Sequence, residues 1–151
     1  MDTPIAWSLD NAVKAFLSHG YSDGDLISHD WLALTLDLPQ TATREAQFIT
    51  MERIEQFKEA LLVGHSVYIV SVRGQGYRIV PPSDQAFVAV AGAMREVRRQ
   101  FTRCQKTLKH TRMDELTAEE SKRHVDAQVK VAGLTAMVGR QKRDVFKLFD
   151  K

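Results

Sequence analysis

The stretch Ser66-Val67-Tyr68-Ile69-Val70-Ser71-Val72, then Arg73-Gly74-Gln75-Gly76, then Tyr77-Arg78-Ile79-Val80 decides the reading of this chain. Two runs rich in β-branched and aromatic residues flank a four-residue segment holding two glycines, which is the pattern of a β-hairpin. Glycine takes the positive φ angles of a tight turn without the steric cost that a β-carbon brings.

Upstream of the hairpin the apolar residues recur at helical spacing. Ser8 caps a first helix with Leu9, Ala12, Val13, Phe16 and Leu17 on its apolar side, and Gly20 ends it. Ser28 caps a second, whose Trp31, Leu32, Leu34 and Leu36 run toward Pro39. A longer third helix opens at Thr41 or Thr43, carries Ile54, Phe57 and Leu61 on one side, and ends near Gly64. Trp31, Leu34, Phe57, Leu61, Ile69 and Ile79 are the expected core of residues 1–82.

Pro81-Pro82 follows the hairpin at once, and a proline pair disfavours helix in the residue before it, so the domain boundary falls there. Residues 83–151 are helical in pattern. Phe87, Val90, Met94, Val97, Phe101, Cys104 and Leu108 alternate steps of three and four, a coiled-coil seam, and Thr117-Ala118-Glu119-Glu120 has the form of a capping box. A second helix from there places Ala127, Val131, Leu134, Val138, Val145 and Leu148 at heptad-compatible positions. Gly133 and Gly139 mark it as the helix expected to bend or stop early. Phe87, Val90, Met94, Val97, Phe101, Cys104, Leu108, Val131, Leu134 and Val138 are the expected dimerisation residues, whether the helices pair within one chain or between two.

The expected fold is thus mainly α with a small β-hairpin, and here residues carry a family resemblance. Val72-Arg73-Gly74-Gln75-Gly76-Tyr77-Arg78-Ile79 resembles the wing motif of OmpR-type response-regulator effector domains, which are winged helix-turn-helix domains. Asp25-Leu26-Ile27-Ser28-His29-Asp30-Trp31-Leu32 is similar to the segment opening the family's second helix, and Ile54 through Leu61 to the end of its recognition helix. No phospho-acceptor receiver domain accompanies these motifs, and only Pro4 to Trp7 stands where the family has an N-terminal sheet. The resemblance implies a winged helix over residues 1–82 that binds duplex DNA, with Arg73, Gln75 and Arg78 in the wing. Arginine suits guanine edges and glutamine adenine edges, so Thr43, Arg44, Gln47 and Arg53 are the third-helix candidates.

The charges divide unevenly. The 151 residues carry a net +2, yet residues 1–82 are net −4 and residues 83–112 net +5, through Arg95, Arg98, Arg99, Arg103, Lys106, Lys109 and Arg112. Glu45, Glu52, Glu55 and Glu59 fall on one stripe of the third helix, which repels phosphate. Two functions therefore stand side by side: a dimeric DNA-binding transcriptional regulator, or a winged-helix regulator that binds RNA polymerase or another host protein.

Enzyme, metal and cofactor signals are missing from the pattern. His19, His29, His65, His110 and His124 show no ligand spacing, Gly74-Gln75-Gly76 lacks the context of a dinucleotide loop, and Ser22-Asp23-Gly24-Asp25 is a plain turn sequence. Cys104 stands alone, so one chain builds no disulfide, and no stretch of the sequence approaches the length and apolarity of a membrane span. A cytoplasmic protein without catalytic residues, metal or cofactor is the expectation.

Overall fold

The computed structural model describes the backbone of residues 7–149 and the side chains of residues 7–139. Elements follow in the order α1 (Leu9–His19), β1 (Leu26–Ser28), α2 (His29–Thr35), α3 (Arg44–His65), β2 (Ile69–Val72), β3 (Gly76–Ile79), α4 (Pro82–Lys109) and α5 (Ala118–Phe149). A 3-10 turn at Met113–Glu115 joins the last two helices. The chain divides into two units, residues 1–85 and 86–151.

Side-chain caps set the helix starts in the first unit. Ser8 accepts from the Asn11 N–H at 3.2 Å, Ser28 from that of Trp31 at 3.2 Å, and Thr43 from that of Ala46 at 3.1 Å, so Thr43 rather than Thr41 opens α3. Gly20 ends α1 with φ +82°. Ser66, expected to begin the first strand, instead closes α3 in the left-handed region. Its N–H returns to the Leu62 carbonyl and that of Val67 to Leu61, which delays β2 until Ile69.

The hairpin belongs to a three-stranded antiparallel sheet in the order β1-β3-β2. β1 is an element that sequence periodicity did not reveal, because three residues are too few to show alternation. It pairs Leu26 with Arg78, Ile27 with Tyr77 and Ser28 with Gly76, while β2 pairs Ile69 with Ile79 and Val72 with Gly76. Ser28 thus ends a strand and caps a helix.

Ala12 and Phe16 of α1, Ile27 of β1, Leu32 and Leu36 of α2, Phe57 and Leu61 of α3, and Ile69 and Ile79 of the sheet form the core. Phe16 meets Phe57 and Trp31 edge-on at centroid separations of 6.0 and 6.3 Å, and Trp31 remains partly buried at the rim. Leu34, expected inside, is 84% exposed. Leu32 and Leu36 lie one helical turn apart and both face inward, so Leu34, about 200° from each, must face out.

α4 opens on Pro82, where its fixed φ suits a first helical turn, and its residues from Ala86 onward belong to the second unit. α5 runs without interruption through Gly133 and Gly139, so neither glycine ends it. Its Thr117 and Glu120 form the reciprocal capping box, at 2.8 and 3.3 Å. α4 and α5 touch where His124 Nε2 donates to the Leu108 carbonyl at 2.9 Å. Of the seam, Val90, Met94, Phe101, Leu108, Val131 and Val138 are half-buried, whereas Phe87, Val97, Cys104 and Leu134 are exposed. No described side chain of either helix is fully buried. Val145 and Leu148 lie outside the residues whose side chains are described.

Candidate nucleic-acid interface

Beside Lys14 on α1, two features of the first unit carry outward cations. The β2-β3 turn spans Val72 to Gln75 and is closed by the Gln75 N–H on the Val72 carbonyl at 3.0 Å, with Gly74 at φ +75°. Arg73 and Gln75 stand exposed on this turn, and Arg78 is exposed on β3 between its neighbours Leu26 and Val70. Gly76 sits at φ +141° directly against the backbone of β1. The two glycines therefore do different work: one makes the turn, and the other admits a third strand.

The second feature is the start of α3. Arg44 and Gln47 are exposed in its first turn, while the Thr43 hydroxyl is committed to capping. Arg44, Arg73 and Arg78 make no ion pair among the described residues, so their guanidinium groups face solvent.

Arg53 is placed elsewhere. Its guanidinium donates to the Leu36 carbonyl at 2.9 Å and to the Asp37 carbonyl, ion-pairs with the Asp37 carboxylate at 3.7 Å, and lies 4.6 Å from the centre of the Trp7 ring. These contacts satisfy the carbonyls at the end of α2, where a cation is favoured by the helix dipole. Asp37 holds a positive φ of 48° in this turn. Arg53 thus ties the α2-α3 connection together, and the structure does not bring it to the exposed face with Arg44 and Gln47. Contacts sixteen and seventeen residues away leave no periodic signal in a sequence.

The middle of α3 presents a different chemistry. Phe48 and Met51 are each 68% exposed, and Glu52, Glu55 and Glu59 are exposed beside them. Sequence reading singled out the carboxylates and missed the apolar pair. A helical wheel reveals it: Phe48 precedes the buried Phe57 by nine residues, and steps of about 100° place it half a turn from the core.

A scan against family models found no match, and neither did searches of curated proteins and of solved structures. Among the described residues no helix is long and apolar enough to cross a membrane.

Proposed function

We propose that residues 1–82 form a winged helix-turn-helix domain that binds duplex DNA, and that residues 83–151 form a coiled-coil-like helical hairpin that pairs two copies of the chain into a transcriptional regulator. The observation carrying the DNA reading is that Arg44 on α3 and Arg73 and Arg78 on the hairpin are exposed and without ion pairs among the described residues. In this reading the wing arginines and Gln75 hold phosphate or the minor groove, and Arg44 and Gln47 read base edges. The order of elements and the wing motif support it as well.

The pairing rests on the poverty of the second unit's interior. Helices of 28 and 32 residues with no fully buried side chain among those described lack the packing that stabilises most helices in water. α4 alone is about 42 Å long, so one face of a two-helix layer offers roughly 800 Å2, the area each partner contributes to a stable interface. Exposed Val97, Cys104, Leu134 and Met137 supply its apolar part. A two-fold axis would present two DNA-binding units to repeated half-sites.

Fluorescence anisotropy on labelled duplexes tests the function. Affinity that falls steeply with added salt is the expected result, because phosphate contacts release counterions, and no binding at about 50 mM salt would overturn it. A second reading, in which a host protein such as a polymerase subunit is the partner, is favoured by the exposed Phe48 and Met51 beside the glutamates of α3.

A further inference from the structure

We propose that the outward face of α3 from Phe48 to Leu62 docks a basic amphipathic helix of a partner protein. The proposal rests on the second reading above, gives its partner a chemistry, and stands whether or not the wing binds DNA.

Phe48, Met51 and Leu62 are exposed along this face, with Glu52, Glu55 and Glu59 between them. Single exposed apolar residues are ordinary on a protein surface, but here they share one side of one helix over a length of about 21 Å. The glutamates decide what covers them. A phosphate backbone or an anionic lipid surface would meet three carboxylates, and the two cations within this stretch are engaged: Lys58 pairs with Glu55 at 2.9 Å, and Arg53 is held on the end of α2, while the unpaired Arg44 lies one turn before Phe48, outside the stretch. A purely apolar partner would strand the carboxylates. A helix with leucine-like residues at steps of three and four, flanked by lysine or arginine, meets both requirements, seating its apolar side chains on Phe48, Met51 and Leu62 and its cations on the glutamates. At the far end of the stripe a shallow groove of about 200 Å3, lined by Glu55, Lys58, Glu59, Leu62, Tyr68 and Ile69, extends the surface from α3 onto β2.

The full chain is titrated with a designed helical peptide of about 18 residues carrying leucine at heptad core positions and lysine beside them; a twin with glutamate for lysine serves as control. Saturable binding of the basic peptide alone is expected, with amide shifts confined to α3 and the start of β2. Phe48→Ala and the charge reversal Glu52→Lys with Glu59→Lys should each weaken it about tenfold or more, while Asp10→Asn with Asp23→Asn, acidic sites elsewhere on the unit, should leave it unchanged. All these positions are exposed, and a circular dichroism melt equal to wild type verifies the fold of each variant. The proposal is overturned if the basic peptide does not saturate by about 1 mM, if the acidic twin binds as well, or if the Asp10 and Asp23 changes weaken binding as much as those on α3. Anisotropy of the unmodified chain on duplex DNA separates the two ideas: no duplex binding with basic-peptide binding intact sinks the DNA reading alone, and duplex binding without peptide binding sinks this one.

Discussion

Gly76 on β3 lies so close to Ile27 on β1 that a β-carbon at Gly76 would stand 2.0 Å from the Ile27 carbonyl oxygen. Its φ of +141° is itself a conformation that other residues resist. Gly76→Ala must therefore push β1 off the sheet, which also displaces the Ser28 cap and the buried Ile27. A loss of about 3 kcal/mol or more is expected. Gly74 has φ +75° but open space around it, so Gly74→Ala should cost only about 1–2 kcal/mol. Urea unfolding of the two variants measures the contrast; equal losses would show that β1 is not held against β3 as described.

Arg53 is predicted to matter for stability and not for DNA. Arg53→Met leaves the carbonyls of Leu36 and Asp37 without their donor, an expected cost of about 1–3 kcal/mol. Under conditions where the variant is folded, its affinity for duplex should equal that of wild type. A tenfold weaker complex with unchanged stability would put Arg53 back in the interface.

On the β2-β3 turn, Arg73→Ala should weaken specific and scrambled duplexes alike, by about 1–3 kcal/mol, if its guanidinium meets phosphate as proposed. Arg44→Ala and Gln47→Ala should instead reduce the difference between the two duplexes, since base contacts carry the discrimination. Anisotropy at two salt concentrations reads both effects.

The helical unit is predicted to be a dimer that polar residues at its exposed apolar positions will split. Val97 is 38% and Leu134 is 47% exposed in the single chain, so Val97→Asp with Leu134→Asp spares the half-buried contacts of α4 with α5. In a pair those carboxylates would be buried without partners, at a cost of several kcal/mol. Light scattering at tens of micromolar should give twice the chain mass for wild type and the chain mass for the variant. A monomeric wild type would remove the dimer.

The Glu120 carboxylate accepts the Thr117 backbone N–H, which holds its pKa below the usual carboxylate range. With a folded pKa below the unfolded one, this group adds stability at pH values above the unfolded pKa, and the contribution fades as pH falls through the folded value. The first turn of α5 should therefore loosen as pH falls from about 5 toward 3, and Glu120→Gln should remove that part of the acid response. Amide exchange at Thr117 and Glu120 across this range provides the readout.

Caps, core periodicity and turn chemistry are local, and that is why so much of this fold was legible in the sequence. Ser8, Ser28 and Thr43 each bond an N–H three residues away, Thr117 and Glu120 bond each other, and Phe57 and Leu61 repeat at a helical step; such relations need no knowledge of the rest of the chain. What tertiary structure alone decided are contacts between segments far apart in sequence. β1 exists because three residues without a pattern of their own meet β3 some fifty positions later, and Gly76 had to be glycine for a neighbour that the hairpin motif does not contain. Leu34 points outward because Leu32 and Leu36 filled the core side of a helix only seven residues long. Arg53 looked like one more cation on a DNA-facing helix, until the end of α2 came within reach of its guanidinium and its charge went to two backbone carbonyls.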